Sequence, residues 1–200
     1  FAENRADERG GGVYVSGSNS ALHLIEGCNL TNNTATFGGA LVIEDQAGLR
    51  VDDATATGNH ASWFNGGGLG GFLYARLSAP ILLQKMTLFG NRADRGGGAL
   101  AAVTGCSLAL EAVTIENCEA GETGGGALFL DGNSEAHLIG GCQFKNNHAI
   151  NGGSGGHVYV AASTFIVHGE KSTLIWPDFK PVFPDPVHLN FPYLYHGVED

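Results

Sequence analysis

Asp52 and Asp53 form an adjacent carboxylate pair that directly follows the alternating, strand-like run Leu49-x-Val51. Two carboxylates beside one glycosidic bond can divide the acid and base roles of cleavage. That chemistry needs further groups. The His-Gly pairs His168–Gly169 and His196–Gly197 fall in the last repeat and the tail, too far along the chain to join Asp52, and no column of Arg or Lys flanks it. The remaining histidines are no better placed. His60 and His148 each follow an Asn at matching places three repeats apart, and His23-Leu24-Ile25 and His137-Leu138-Ile139 are copies of one phrase with the imidazole facing solvent. The glycine clusters lack the Lys-Ser/Thr of a phosphate loop and the aspartate of a calcium-binding repeat. Asn4-Arg5-Ala6-Asp7 and Asn91-Arg92-Ala93-Asp94 read as one copied turn. No catalytic residue, metal ligand or cofactor is therefore expected.

Two patterns point to modification instead. Asn29-Leu30-Thr31 and Asn32-Asn33-Thr34 are glycosylation acceptor sequences. Asn29 lies between two inward positions and faces outward in mid-strand; Asn32 sits at a turn and is the better acceptor.

The elements behind these residues repeat. An apolar residue, Asn three later, then Ala, a glycine cluster and an apolar run return six times: Phe1/Asn4/Ala6, Leu30/Asn33/Ala35, Ala56/Asn59/Ala61, Leu88/Asn91/Ala93, Ile115/Cys118/Ala120 and Phe144/Asn147/Ala149. A recurring period in this range means a solenoid whose neighbouring units bury one another. Short runs such as Ala40-Leu41-Val42-Ile43, followed by alternating Leu49-x-Val51 and Ala54-x-Ala56, give strands rather than helices, and 32 glycines oppose helix formation. The expectation is an all-β chain: a right-handed parallel β-helix of about six coils with three short strands per coil. Asn4, Asn33, Asn59, Asn91 and Asn147 would stack as a structural ladder, their side chains hydrogen-bonding from coil to coil at a turn that uses the left-handed conformation Asn tolerates.

Cys28 and Cys142 share one strand place with Met86 and Val113, four coils or roughly 19 Å apart at about 4.8 Å per coil, beyond disulfide reach; buried, inert thiols are expected. Cys118 replaces a ladder Asn, and it and Cys106 could pair only if their shared coil brings them together.

The phrases Phe1-x-x-Asn4 and Phe144-x-x-Asn147, with Gly38-Gly39-Ala40-Leu41, Gly97-Gly98-Ala99-Leu100 and Gly125-Gly126-Ala127-Leu128, resemble the repeats of the polymorphic outer membrane protein family over residues 1 to 160. The middle coils depart, with Leu, Ala or Ile for Phe and Cys118 for Asn. The resemblance implies a right-handed β-helix and a surface or adhesive role, and it brings no catalytic residues.

Net charge is −10, which argues against nucleic acid and anionic membrane partners, and no apolar stretch is long enough to span a membrane. The chain begins without Met inside a repeat and reads as a piece of something longer. Residues 1–169 form the solenoid. Residues 170–200, holding five of six prolines and Trp176, Phe179, Phe183, Phe191, Tyr193 and Tyr195, are expected to cap it or to dock a partner. The leading expectation is a non-enzymatic structural or adhesive module, extracellular or at the cell surface, meeting protein partners, copies of itself through open solenoid ends, or glycans. A polysaccharide-active or carbohydrate-binding β-helix and a scaffold of an intracellular assembly are the alternatives.

Overall fold

A computed structural model describes residues 1–168 and the backbone of residues 173–175. The expected tail function, with Trp176, Phe179, Phe183, Phe191, Tyr193 and Tyr195, and the pair His196–Gly197 lie outside the described residues. Every regular element described is a strand, and all strand pairs are parallel, each strand bonding to its counterpart one coil away. The described residues form a parallel β-helix of about six coils.

Four sheets run along it, one more than the sequence suggests. The first contains Val13–Ser16, Leu41–Glu44, Leu73–Arg76, Leu100–Val103, Leu128–Asp131 and Val158–Val160. The second contains Ala21–Leu24, Gly48–Asp52, Pro80–Gln84, Ser107–Glu111, Glu135–Ile139 and Thr164–His168. The third runs from Cys28–Thr31 through Ala54–Thr57, Thr87–Phe89, Thr114–Glu116 and Gln143–Lys145 to Thr173–Ile175. The fourth consists of two-residue strands: Thr34–Ala35, His60–Ala61, Arg92–Ala93, Glu119–Ala120 and His148–Ala149. Two residues cannot display an alternation, so this sheet is hidden in the sequence behind the repeated Ala, which points inward.

The two kinds of apolar pattern have different outcomes. Alternating runs in the second and third sheets bury one face, stacking Leu22, Leu49, Ile81, Leu108, Ala136 and Phe165 rung over rung. Continuous runs in the four inner strands of the first sheet are buried on both faces. Their inner residues Leu41, Leu73, Leu100 and Leu128 join the central core, while Val42, Tyr74, Ala101 and Phe129 form a second cluster with Leu69 and Phe37. Those covering residues belong to a line of single bridges through Arg9, Phe37, Leu69, Gly96, Gly124 and Ser154.

The Asn side chains connect successive coils. Asn4, Asn33 and Asn59 each donate from Nδ2 to Oδ1 of the next coil's Asn, all at 2.9 Å. The same Oδ1 accepts the backbone N–H of the preceding coil's Asn, and Nδ2 of Asn59 also donates to Leu30 O. Asn59 is wholly buried, yet its amide is fully partnered. The left-handed residue is not the ladder Asn. It is the one before it: Glu3, Asn32, Gly58, Gly90, Asn117 and Asn146 all have φ between +49° and +65°. This corrects the sequence expectation; turning the residue before the ladder leaves the Asn itself free to aim its amide along the axis.

Cys118 interrupts the ladder. Asn91 Nδ2 still donates to Ala56 O at 2.9 Å, but in the next coil it meets a sulfur at 4.0 Å in place of an amide oxygen; Asn147 accepts the Cys118 N–H and donates back to Ile115 O. All four cysteines are free, so Cys106 and Cys118 do not pair. Burial raises the Cys118 thiol to about 12, and burial raises Cys106 and Cys142 as well; Cys28, in the first coil, is only half-buried.

Truncating Asn59 to Ala would leave the buried Asn33 N–H without an acceptor, so Asn59→Ala is expected to lower unfolding free energy by about 2–4 kcal/mol. Cys118→Asn completes the ladder and is expected to raise it by about 1 kcal/mol. Urea denaturation of both variants beside the parent measures both signs.

Candidate functional site

The outer face of the second sheet holds the residues that invite an enzymatic reading. Inward Leu49 and Val51 force Arg50 and Asp52 outward. Asp52 starts a column that continues through Gln84, Glu111 and Ile139 to His168. Gln84 Nε2 donates to Glu111 Oε2 at 2.5 Å, and Lys85 Nζ stands 3.7 Å from Asp52 Oδ1, a cation beside this carboxylate that the sequence reading missed. Asp53 is on neither face of the sheet: it takes the left-handed corner at φ +55°. The Asp52–Asp53 pair is thus split between a strand and a corner. His168 lies four rungs from Asp52, roughly 19 Å at about 4.8 Å per rung. Its neighbour is His137, with Nδ1···Nε2 at 2.7 Å and stacked rings, while His137 also meets Glu135. His23 is exposed. Among the described residues no group of three or more His, Cys, Asp or Glu is placed to hold a metal ion.

The sequons occupy different surroundings. Asn29 is exposed in its strand, but its Oδ1 accepts a bond from Thr55 Oγ1 at 2.5 Å. Asn32 stands exposed at the left-handed corner.

The most distinctive surface lies where the fourth sheet's strand leads back to the first sheet. Phe37 follows Ala35 by two positions, whereas Leu69 follows Ala61 by eight. The inserted loop displays Trp63 at 49% exposure and Phe64 at 62%. It is tied down by polar contacts. Trp63 N donates to Asp94 Oδ2 at 2.9 Å, Arg95 Nη1 donates to Gly66 O at 2.9 Å, and Gly68 N donates to Thr36 O at 2.8 Å. The Arg95 guanidinium lies 5.8 Å from the Trp63 ring centre, within cation–π range. Asp94 also holds His60 Nε2 at 2.9 Å and Arg92 Nε at 3.2 Å. Burial alone would raise the Asp94 carboxyl, but the bonds from His60 and the Trp63 N–H, with Arg92, hold it below its ordinary value. Sequence reasoning passed over this loop. The signal was there: the third repeat spans 32 residues from Ala56 to Leu88, against 26 from Leu30 to Ala56.

Glu44 anchors the opposite end of the first sheet's strand. Its carboxylate is buried and accepts Arg9 Nη1 at 2.8 Å, Tyr14 Oη at 2.5 Å and Arg76 Nε at 2.5 Å, joining three successive coils. Burial would raise this carboxyl; the hydrogen bonds from Arg76 and Tyr14 and the charges of Arg76 and Arg9 outweigh it and set it below 4.5.

A carboxyl depressed by folding contributes stability that is present above its unfolded value and lost as pH falls through the folded one. The parent is therefore expected to lose stability as pH drops below about 4.5. Glu44→Gln leaves two arginines without their shared carboxylate and is expected to cost about 2–3 kcal/mol at neutral pH. The gap between the two should narrow towards low pH; thermal melts across that range measure it.

With this geometry in hand, comparison with known proteins gives one match. No curated protein and no solved structure matches the chain. The family model described as "Right handed beta helix region" matches residues 1–171, which covers every strand described above except Thr173–Ile175 and gives the winding its hand. The chain belongs to the right-handed β-helix family.

Proposed function

We propose that this chain is a non-enzymatic adhesive or structural module displayed outside the cell or at its surface, of the kind the polymorphic outer membrane protein repeats suggest. The observation that carries this reading is the loop at Trp63–Phe64: two large rings held in the open by a fixed polar frame. Rigid, exposed aromatics lose little freedom on contact and dominate binding energetics. Exposed Asn32 in its sequon supports the extracellular location. An intracellular scaffold role would be excluded by glycan on that residue.

A polysaccharide-active or carbohydrate-binding face is the second reading. The outward row of Asp52, Gln84 and Glu111 with Lys85 beside it favours this reading.

Binding to cell and matrix surfaces, measured with the purified protein, is expected to weaken about tenfold in Trp63→Ala and Phe64→Ala, with melting temperature nearly unchanged because both rings are exposed. Turnover of a polysaccharide panel, lost in Asp52→Asn or Asp53→Ala, would replace this function with the second reading. In protein taken from its native source, glycosidase treatment is expected to remove mass that maps to Asn32. Asn32→Gln should abolish that mass, with little or none on Asn29, whose amide is engaged by Thr55.

A further inference from the structure

Beside the aromatic loop lies a cleft of about 260 Å³, walled by Phe64 and Asn65 on one side and by Asp7 and Glu8 on the other, with Thr36 and Phe37 as its floor. Its walls come from three successive coils, and the floor fixes their spacing. Thr36 Oγ1 donates to Asp7 O at 2.7 Å, Phe37 N donates to Glu8 O at 2.9 Å, and Gly68 N donates to Thr36 O at 2.8 Å. The cleft is therefore a product of the same coil stacking that builds the solenoid.

We infer that this cleft receives a cationic side chain, lysine or arginine, from a partner protein. The inference rests on reading the Trp63–Phe64 loop as the contact surface. Its volume is below the range of about 300–1,000 Å³ usual for pockets that enclose a whole small ligand, and suits one long side chain. Its lining brings an aromatic residue, Phe64, together with two acidic ones, Asp7 and Glu8, a combination that an ammonium or guanidinium selects. Glu8 already meets Arg9 at 3.3 Å, but among the described residues no cation pairs with Asp7. The chain's net charge of −10 steers basic partners towards it at long range. Trp63, next to Phe64 in the chain and backed by Arg95, offers a second exposed apolar surface.

The test uses a fluorescent Gly/Ser peptide carrying lysines, its lysine-acetylated copy, and a neutral soluble polysaccharide. The lysine peptide is expected to bind. Acetylation, Phe64→Ala and Asp7→Asn/Glu8→Gln should each weaken binding about fivefold or more. Glu26→Gln/Asp53→Asn, which removes equal charge from another corner, should leave it unchanged. Equal binding of the acetylated peptide, or equal loss in the control variant, overturns the inference. Polysaccharide binding that depends on Phe64 but not on Asp7 and Glu8 also overturns it, while leaving the surface reading intact. Lysine-peptide binding in the cleft, together with cell and matrix binding indifferent to Trp63 and Phe64, would remove the surface reading and keep the cationic site. Melting curves of each variant establish that it is folded.

Discussion

Parallel coils can share backbone hydrogen bonds only if the chain approaches its neighbour to one strand spacing at every corner of the same turn. The glycine clusters make that approach possible. A Cβ on Gly98 would stand 2.1 Å from Gly126 O, and one on Gly71 would stand 2.1 Å from Gly98 O. Each such glycine touches the backbone of the coil above, so the constraint passes along the molecule. Everything else follows from this approach. The apolar columns align because the corners hold register, the Asn amides come within 2.9 Å of one another, and side chains that turn outward are arranged in rows whose spacing the backbone sets.

The rows explain which polar groups meet. Glu44 finds Arg9 and Arg76 because each sits one coil away on either side. Asp94 finds His60 by the same rule. Groups in one column but several rungs apart, such as Asp52 and His168, stay separate however suggestive their types. A solenoid converts sequence distance into axial distance almost linearly, so constellations form only among adjacent repeats or within an insertion.

Much of this was legible before any coordinates. The Asn and Gly phrases carry the coil period, and the contrast between Leu41-Val42-Ile43 and Leu49-x-Val51 carries two-sided against one-sided burial. Other features were not legible, for definable reasons. The fourth sheet is too short to have a pattern. The left-handed corner falls one residue before the repeated Asn, on residues as different as Glu3, Gly58 and Asn117, so no single residue type marks it. Glu44 ends an apolar run where an acid normally faces water, and only the arginines of adjacent coils make its burial tolerable. The Trp63–Phe64 loop was visible as an overlong repeat, but its exposed rings required knowing that the extra residues leave the barrel of coils at a corner.

The sulfur of Cys118 has a consequence for how this stack comes apart. In a quasi-one-dimensional array, stability is a chain of nearest-neighbour couplings, and opening begins at the weakest joint. Replacing an amide by a thiol weakens the polar coupling between the coils of Asn91 and Cys118 while leaving those from Asn4 to Asn91 intact. The array thereby acquires a seam. Coils beyond it can fray under strain as one block, while the aromatic loop, on the near side, keeps its shape.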